Sequence, residues 1–240
     1  MSNETKEQQI ESIMELLNAP VEPLHPDLQR HIVDTGVFGP MLKHPLVFAM
    51  FMHEKEHARL NAHYEYKRRA LADAIKARKW NTAVFLHERP YRLDAFASIA
   101  HNMTDEEYWS LLGRIWTDSE NIYENRWEWE DLLTCERPDR QHIMSDEEQE
   151  LLAMLPETDI PVYRGYREEG GEDGLSWTLF KARARWFARR FHNEGDDDSC
   201  PRIVSGTVNR DQVIAHFTNR DEMEIVVLPE HVNNWKVEEV

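Results

Sequence analysis

Cysteine is nearly absent: the 240 residues include two, Cys135 and Cys200. Two thiols so widely separated give neither a disulfide framework nor a paired metal motif. Long apolar runs are missing too. The longest, from Pro45 to Met52, has eight residues, far short of a membrane span. Residues Met1 to Leu17 are polar and mildly amphipathic, without the apolar centre of a secretory signal. Basic residues are in deficit, 28 against 45 acidic ones, so the formal net charge is −17. That balance argues against a general, salt-driven grip on nucleic acid. No GxGxxG turn follows a strand-like segment, which argues against a Rossmann dehydrogenase. The expectation from these absences is a soluble, cytoplasmic chain with no membrane partner.

What is present suffices for a core. Hydrophobic residues make up 41% of the chain and charged residues 30%, a globular balance for one large domain or two small ones. The charge is uneven: residues 51–100 carry a net +4 and residues 101–155 a net −11. Solvated helix faces, or the packing of one block on the other, account for such blocks.

Apolar spacing predicts a helix over residues 5–17, through Ile10, Ile13, Met14 and Leu17. Residues 18–45 hold five prolines and two glycines, which predicts a loop-rich wrap around one short helical segment. From Phe48 to about Lys79 neither proline nor glycine occurs, so one long helix or two abutting ones are expected, then a turn near Trp80–Thr82. His87 to Pro90 is another break, and Leu93–Ala100 is helical. Thr104 with Glu107, and Ser145 with Glu148, are capping boxes that open two further helices. A third helix is expected from about Trp116, with Ile122, Trp127, Trp129 and Leu133 behind it. Residues 1–155 thus read as a helical region. At Pro156 the pattern changes to strands, at Val162–Tyr166, Leu175–Thr178, Ile203–Val208, Val213–Phe217 and Glu224–Leu228, with one helix over about Lys181–Phe191. The expected fold is α+β: a helical region, 1–155, packed on a small β domain, 156–240. The acidic run Glu194 to Asp198 reads as an exposed loop.

One motif suggests zinc. His53-Glu54-Lys55-Glu56-His57 matches HExxH, with His63 ten residues after His53. On one helix face, two imidazoles at i and i+4 would hold the metal and Glu54 would act as general base. Against this, the two inner positions are charged. No glycine provides a turn before His63, which on a continuous helix faces elsewhere. A zinc metallopeptidase is therefore an alternative reading, and the main expectation is no metal.

The segment after Pro156 carries four features in order. Val162-Tyr163-Arg164-Gly165 puts an arginine on a strand. Leu175-Ser176-Trp177-Thr178 leads into a helix. That helix, Phe180 to Phe191, is basic and amphipathic. Asp221-Glu222-Met223-Glu224 enters the apolar strand Ile225 to Leu228.

This constellation resembles the arginine–serine–glutamate class of mono-ADP-ribosyltransferases, which includes cholera-toxin-like enzymes, over about residues 160–230. Arg164 matches the strand arginine, Ser176-Trp177-Thr178 the Ser-x-Ser/Thr element and Glu222-Met223-Glu224 the Glu-x-Glu element. The same stretch is similar to uncharacterised phage and bacterial proteins. The resemblance implies a split β-sheet domain that takes NAD as substrate, and a phage effector or bacterial toxin acting in a cytoplasm, with an antitoxin or host protein as a possible partner. Only 12 positions separate Arg164 from Ser176, so the helix usual in such enzymes between these motifs is absent or replaced.

Elementary chemistry assigns roles on that reading. Cleaving the nicotinamide–ribose bond builds positive charge on the ribose, as in glycoside cleavage. A carboxylate beside the ribose stabilises that charge, and Glu224 is the candidate. Glu222, two residues earlier, shares its face on a strand and can orient or deprotonate the acceptor. Arg164 offers a planar fork to the NAD phosphates, and Gly165 lets backbone approach the nicotinamide amide. Ser176 can bond Glu224 or the ribose, and Thr178 can start the helix. Trp186 or Phe187 either stacks on nicotinamide or packs in the core. The Glu-x-Glu form implies a protein arginine as acceptor. The basic helix, from Lys181 to Arg190, leaves RNA or DNA as an alternative acceptor. A catalytically inactive binding protein is the third class.

Overall fold

The computed structural model describes residues 21–240 except 37–38, 51, 121, 168–169, 191–199 and 219–221. The helix expected over residues 5–17 and the acidic run 194–198 lie outside the described residues. The chain is mixed α+β and divides into two compact units, Met1–His101 and Asn102–Val240. Among the described residues no helix is long and apolar enough to cross a membrane.

The first unit holds a short helix α1 (Pro26–Gln29), an antiparallel meander of β1 (Ile32–Asp34), β2 (Pro40–His44) and β3 (Val47–Ala49), then helices α2 (His57–Lys76), α3 (Trp80–Phe85) and α4 (Arg92–Ile99). The sheet corrects the all-helical reading of residues 1–155. Its strands are three to five residues long, too brief to show an alternating pattern between prolines. Leu24, Leu28, Leu42, Leu46, Val47, Leu60 and Tyr64 form the core of this unit, so the meander and α2 bury each other's apolar faces. The expected turn near Trp80 falls earlier. Arg78 takes a left-handed φ of 54° and closes α2, and Trp80 already begins α3.

The second unit holds α5 (Asp105–Asp118), α6 (Arg126–Leu133), α7 (Asp146–Met154), β4 (Ile160–Tyr166), β5 (Ser176–Thr178), α8 (Lys181–Arg189), β6 (Arg202–Val208), β7 (Ala215–Phe217), β8 (Glu224–Val226) and β9 (Asn233–Glu239). Both capping boxes form: Thr104 with Glu107 opens α5, and Ser145 with Glu148 opens α7. Rather than a new helix at Trp116, α5 runs on to Asp118. The six strands pair antiparallel in the order β7-β8-β5-β4-β6-β9. One face carries a core of Ile160, Val162, Tyr166, Trp177, Val204 and Ile225, with Leu152 and Leu155 packed against it.

Helices 105–154 share this unit with the sheet, so the compact units part at 101/102 rather than where helical sequence gives way to strands, at 155/156. Specific bonds join the two parts. Thr218 N donates to Glu148 at 3.0 Å, and Arg210 donates to the Ala153 and Leu155 carbonyls at 2.8 Å each.

Candidate active site

Strand register brings the three motifs together. β5 lies between β8 and β4, and Thr178 pairs with both Tyr163 and Glu224, while Ser176 pairs with Val226. Segments far apart in sequence thereby become neighbours on three adjacent strands. Arg164, Gly165, Ser176, Thr178, Glu222 and Glu224 all line one cleft of about 320 Å³, within the usual size of small-molecule sites. Tyr123 and Glu120 enter it from the segment after α5, and Phe187 and Arg190 from α8 and its end.

Glu224 begins β8 and is half-buried. The Ser176 hydroxyl donates to its carboxylate, and the Trp116 indole N–H bonds it as well. Burial is the main cause that pushes its pKa above the ordinary carboxylate value; the nearby Glu222 charge adds to this. The Ser176 and Trp116 bonds and the Arg164 charge pull the other way. Trp116 is itself buried and edge-packed on Trp129 at 4.9 Å between ring centres, so a rigid aromatic pair backs the acid.

Glu222 and Glu224 do not share a face of one strand as expected. β8 starts only at Glu224, and Met223 has a left-handed φ of 44°. The two acids meet in the cleft because Glu222 is tied to β5: Thr178 Oγ1 donates to the Glu222 carbonyl at 2.7 Å, and Leu179 N donates to the Met223 carbonyl at 3.2 Å. Thr178 is buried and also accepts from Phe180 N at 3.2 Å, just ahead of α8. Its hydroxyl therefore positions Glu222 and the helix entry. The Glu222 carboxylate pairs with Arg183 Nη2 at 3.1 Å.

The two remaining expectations change more. Arg164 donates from Nε to the Gly171 carbonyl at 2.7 Å and from Nη1 to the Ser176 carbonyl at 2.8 Å. Its guanidinium lies flat over Gly174, where any Cβ would overlap it. Burial holds its pKa down, to about 10, so it remains a cation at neutral pH. Most of its fork thus braces the loop that carries Ser176. Gly165 faces α8: a Cβ there would overlap the Ala184 carbonyl and crowd Ala188 N. The missing side chain lets the helix lie close on the sheet, an approach the fully buried Ala184 and Ala188 share. Between the end of β4 at Tyr166 and the start of β5 at Ser176 the described residues hold only a 3₁₀ turn, Gly171–Asp173.

Trp116, Glu120 and Tyr123 contribute to the site and escaped the sequence reading, which took Arg190 only as part of the basic helix. Trp116, Glu120 and Tyr123 sit in no motif. Of the two aromatic residues singled out on the basic helix, Phe187 lines the cleft, whereas Trp186 is 46% exposed with Arg183 and Arg190 over its ring at 4.5 and 5.2 Å.

The HExxH residues do not build the expected helical face. His53 is extended and caps a 3₁₀ turn, Glu54–Glu56, and α2 begins at His57. His53 Nδ1 accepts from Lys55 N at 3.2 Å, and His57 Nδ1 lies 3.0 Å from the Glu22 carbonyl. Among the described residues no group of three or more His, Cys, Asp or Glu side chains could hold a metal ion.

Comparisons with protein-family models, with curated proteins and with solved structures each return no match.

Proposed function

We propose that this protein is an NAD-dependent mono-ADP-ribosyltransferase that transfers ADP-ribose to a protein arginine and releases nicotinamide, and that residues 156–240 form its split-sheet NAD domain. The observation that carries this reading is convergence: Arg164, Ser176, Glu222 and Glu224, from separate motifs, line one cleft, with the Ser176 hydroxyl on the Glu224 carboxylate.

On this reading the ionised Glu224 sits beside the ribose and stabilises the positive charge that develops as nicotinamide leaves. Ser176 and Trp116 fix its orientation and favour its charged form. The diphosphate falls to Arg190, which lines the cleft, because two Arg164 nitrogens already serve backbone carbonyls. Tyr123 and Phe187 offer aromatic surface to a nicotinamide or adenine ring. Glu222 receives the acceptor guanidinium. Its existing pairing with the Arg183 guanidinium supports that role. The setting we propose is a cytoplasm, as a phage effector or bacterial toxin.

The test is transfer. Purified protein is incubated with cell lysate and NAD labelled in the adenylate, and the products are digested by protease or by nuclease. The label is expected in protease-sensitive, nuclease-resistant material and is expected to disappear with Glu222→Gln. Label that only nuclease releases would move the acceptor to RNA or DNA; no transfer to either would refute the proposal.

A further inference from the structure

We infer that Arg183 is a site of self-modification, the guanidinium that this protein itself presents to its own acceptor acid. The inference rests on the transferase reading and goes beyond it by naming an acceptor within the chain.

Three observations place Arg183. Its Nη2 lies 3.1 Å from Glu222 Oε1, the carboxylate assigned to hold and deprotonate an acceptor. Its guanidinium packs over Trp186 at 4.5 Å and over Phe187 at 5.2 Å, and Phe187 lines the cleft. Its side chain is 27% exposed and sits behind the cleft wall, held against the lining residues Glu222 and Phe187. Arg190 also lines the cleft, but Arg183 is the arginine paired with Glu222. A guanidinium is a poor nucleophile while fully protonated. Pairing with a carboxylate supplies the base that its attack requires.

The step balances without a further reactant. The bond between ribose C1′ and the nicotinamide nitrogen breaks, and its electron pair neutralises the pyridinium as nicotinamide leaves. An Arg183 Nη lone pair forms the new bond to C1′. The Nη proton passes to Glu222 and from there to water. The product carries ADP-ribose on Arg183, and its diphosphate adds two negative charges beside Glu222 and Glu224, so the pairing with Glu222 does not survive in its present form.

The experiment uses the full chain with NAD alone. Released nicotinamide is quantified, and the protein is digested and mapped by mass spectrometry for ADP-ribose. The expected result is one dominant adduct, on Arg183, with a rate per molecule that is independent of protein concentration. Arg183→Lys keeps a cation for Glu222, and in this variant adduct per nicotinamide released should fall at least tenfold. Adduct on Arg190 or elsewhere with Arg183 unmodified, or a rate that rises with protein concentration, overturns the inference. Nicotinamide release with no adduct also overturns it while leaving NAD cleavage standing. Absence of nicotinamide release removes the transferase reading and this inference together. If Arg183→Lys does not fold, the wild-type map decides alone.

Discussion

His44 in the first compact unit and Glu224 in the second are both shifted toward their neutral forms, yet only Glu224 lines the candidate cleft. Burial, reinforced by the neighbouring His31, lowers the His44 pKa from 6.5 to about 4. Its ring lies edge-on to His31 at 4.6 Å and to Tyr64 at 5.0 Å, and its Nδ1 accepts from Leu46 N at 3.0 Å. It is a packed element of the β2–β3 turn. Glu224 is shifted by burial too, but it faces open volume shared with a second acid and two arginines. A displaced pKa reports desolvation. A candidate site requires in addition that other charged groups converge on space a ligand could fill.

The largest effect expected from breaking this contrast is at Glu224. Glu224→Gln retains an oxygen that can accept from Ser176 and Trp116 but removes the charge. Nicotinamide release should fall by roughly 10²–10³, the scale of a lost electrostatic stabiliser. Stability should move the other way. Because the folded pKa is raised, the ionised carboxylate costs the folded state stability at neutral pH. That cost disappears below the ordinary value of 4.5. Calorimetry should therefore find Tm raised in the variant at pH 7 and unchanged at a pH below 4.5.

A smaller change is expected at Arg190. Arg190→Gln removes the cation assigned to the diphosphate and should raise KM for NAD by roughly tenfold, the worth of one charge-assisted hydrogen bond. Steady-state kinetics in which kcat falls while KM holds would assign that cation a different role.

His44 should affect stability alone. Its folded pKa is depressed, so the unfolded chain takes up the proton first. Stability should therefore be lost as pH falls from 6.5 to about 4, on the order of 3 kcal/mol in total. His44→Asn keeps an acceptor for Leu46 N and should flatten that acid limb in denaturant titrations.

The second unit was the more legible in sequence. Its capping boxes are local signals, and five of its six strands were readable, β4 and β6 with alternating burial and β5, β7 and β8 as short, mostly buried runs. β9 was missed because Asn233–Glu239 is exposed along its length and shows no core-facing run. β1–β3 were missed because short strands between prolines read as loop. Within the site, Ser176 and Glu224 were recognisable as a hydroxyl and an acid in ordered motifs. The duties of Arg164 and Gly165 were not, because backbone carbonyls and a helix lying 20 residues downstream leave no mark at those positions. Trp116 was equally hidden: its spacing marks it as a helix residue, and only the tertiary fold aims its N–H at Glu224.

The central claim is that this cleft cleaves NAD. The most direct measurement mixes the purified protein with NAD in the absence of any acceptor and follows free nicotinamide by chromatography. The account predicts slow release, continuing past one nicotinamide per protein molecule as water takes the place of an acceptor. Recovery of the NAD intact after prolonged incubation would contradict it.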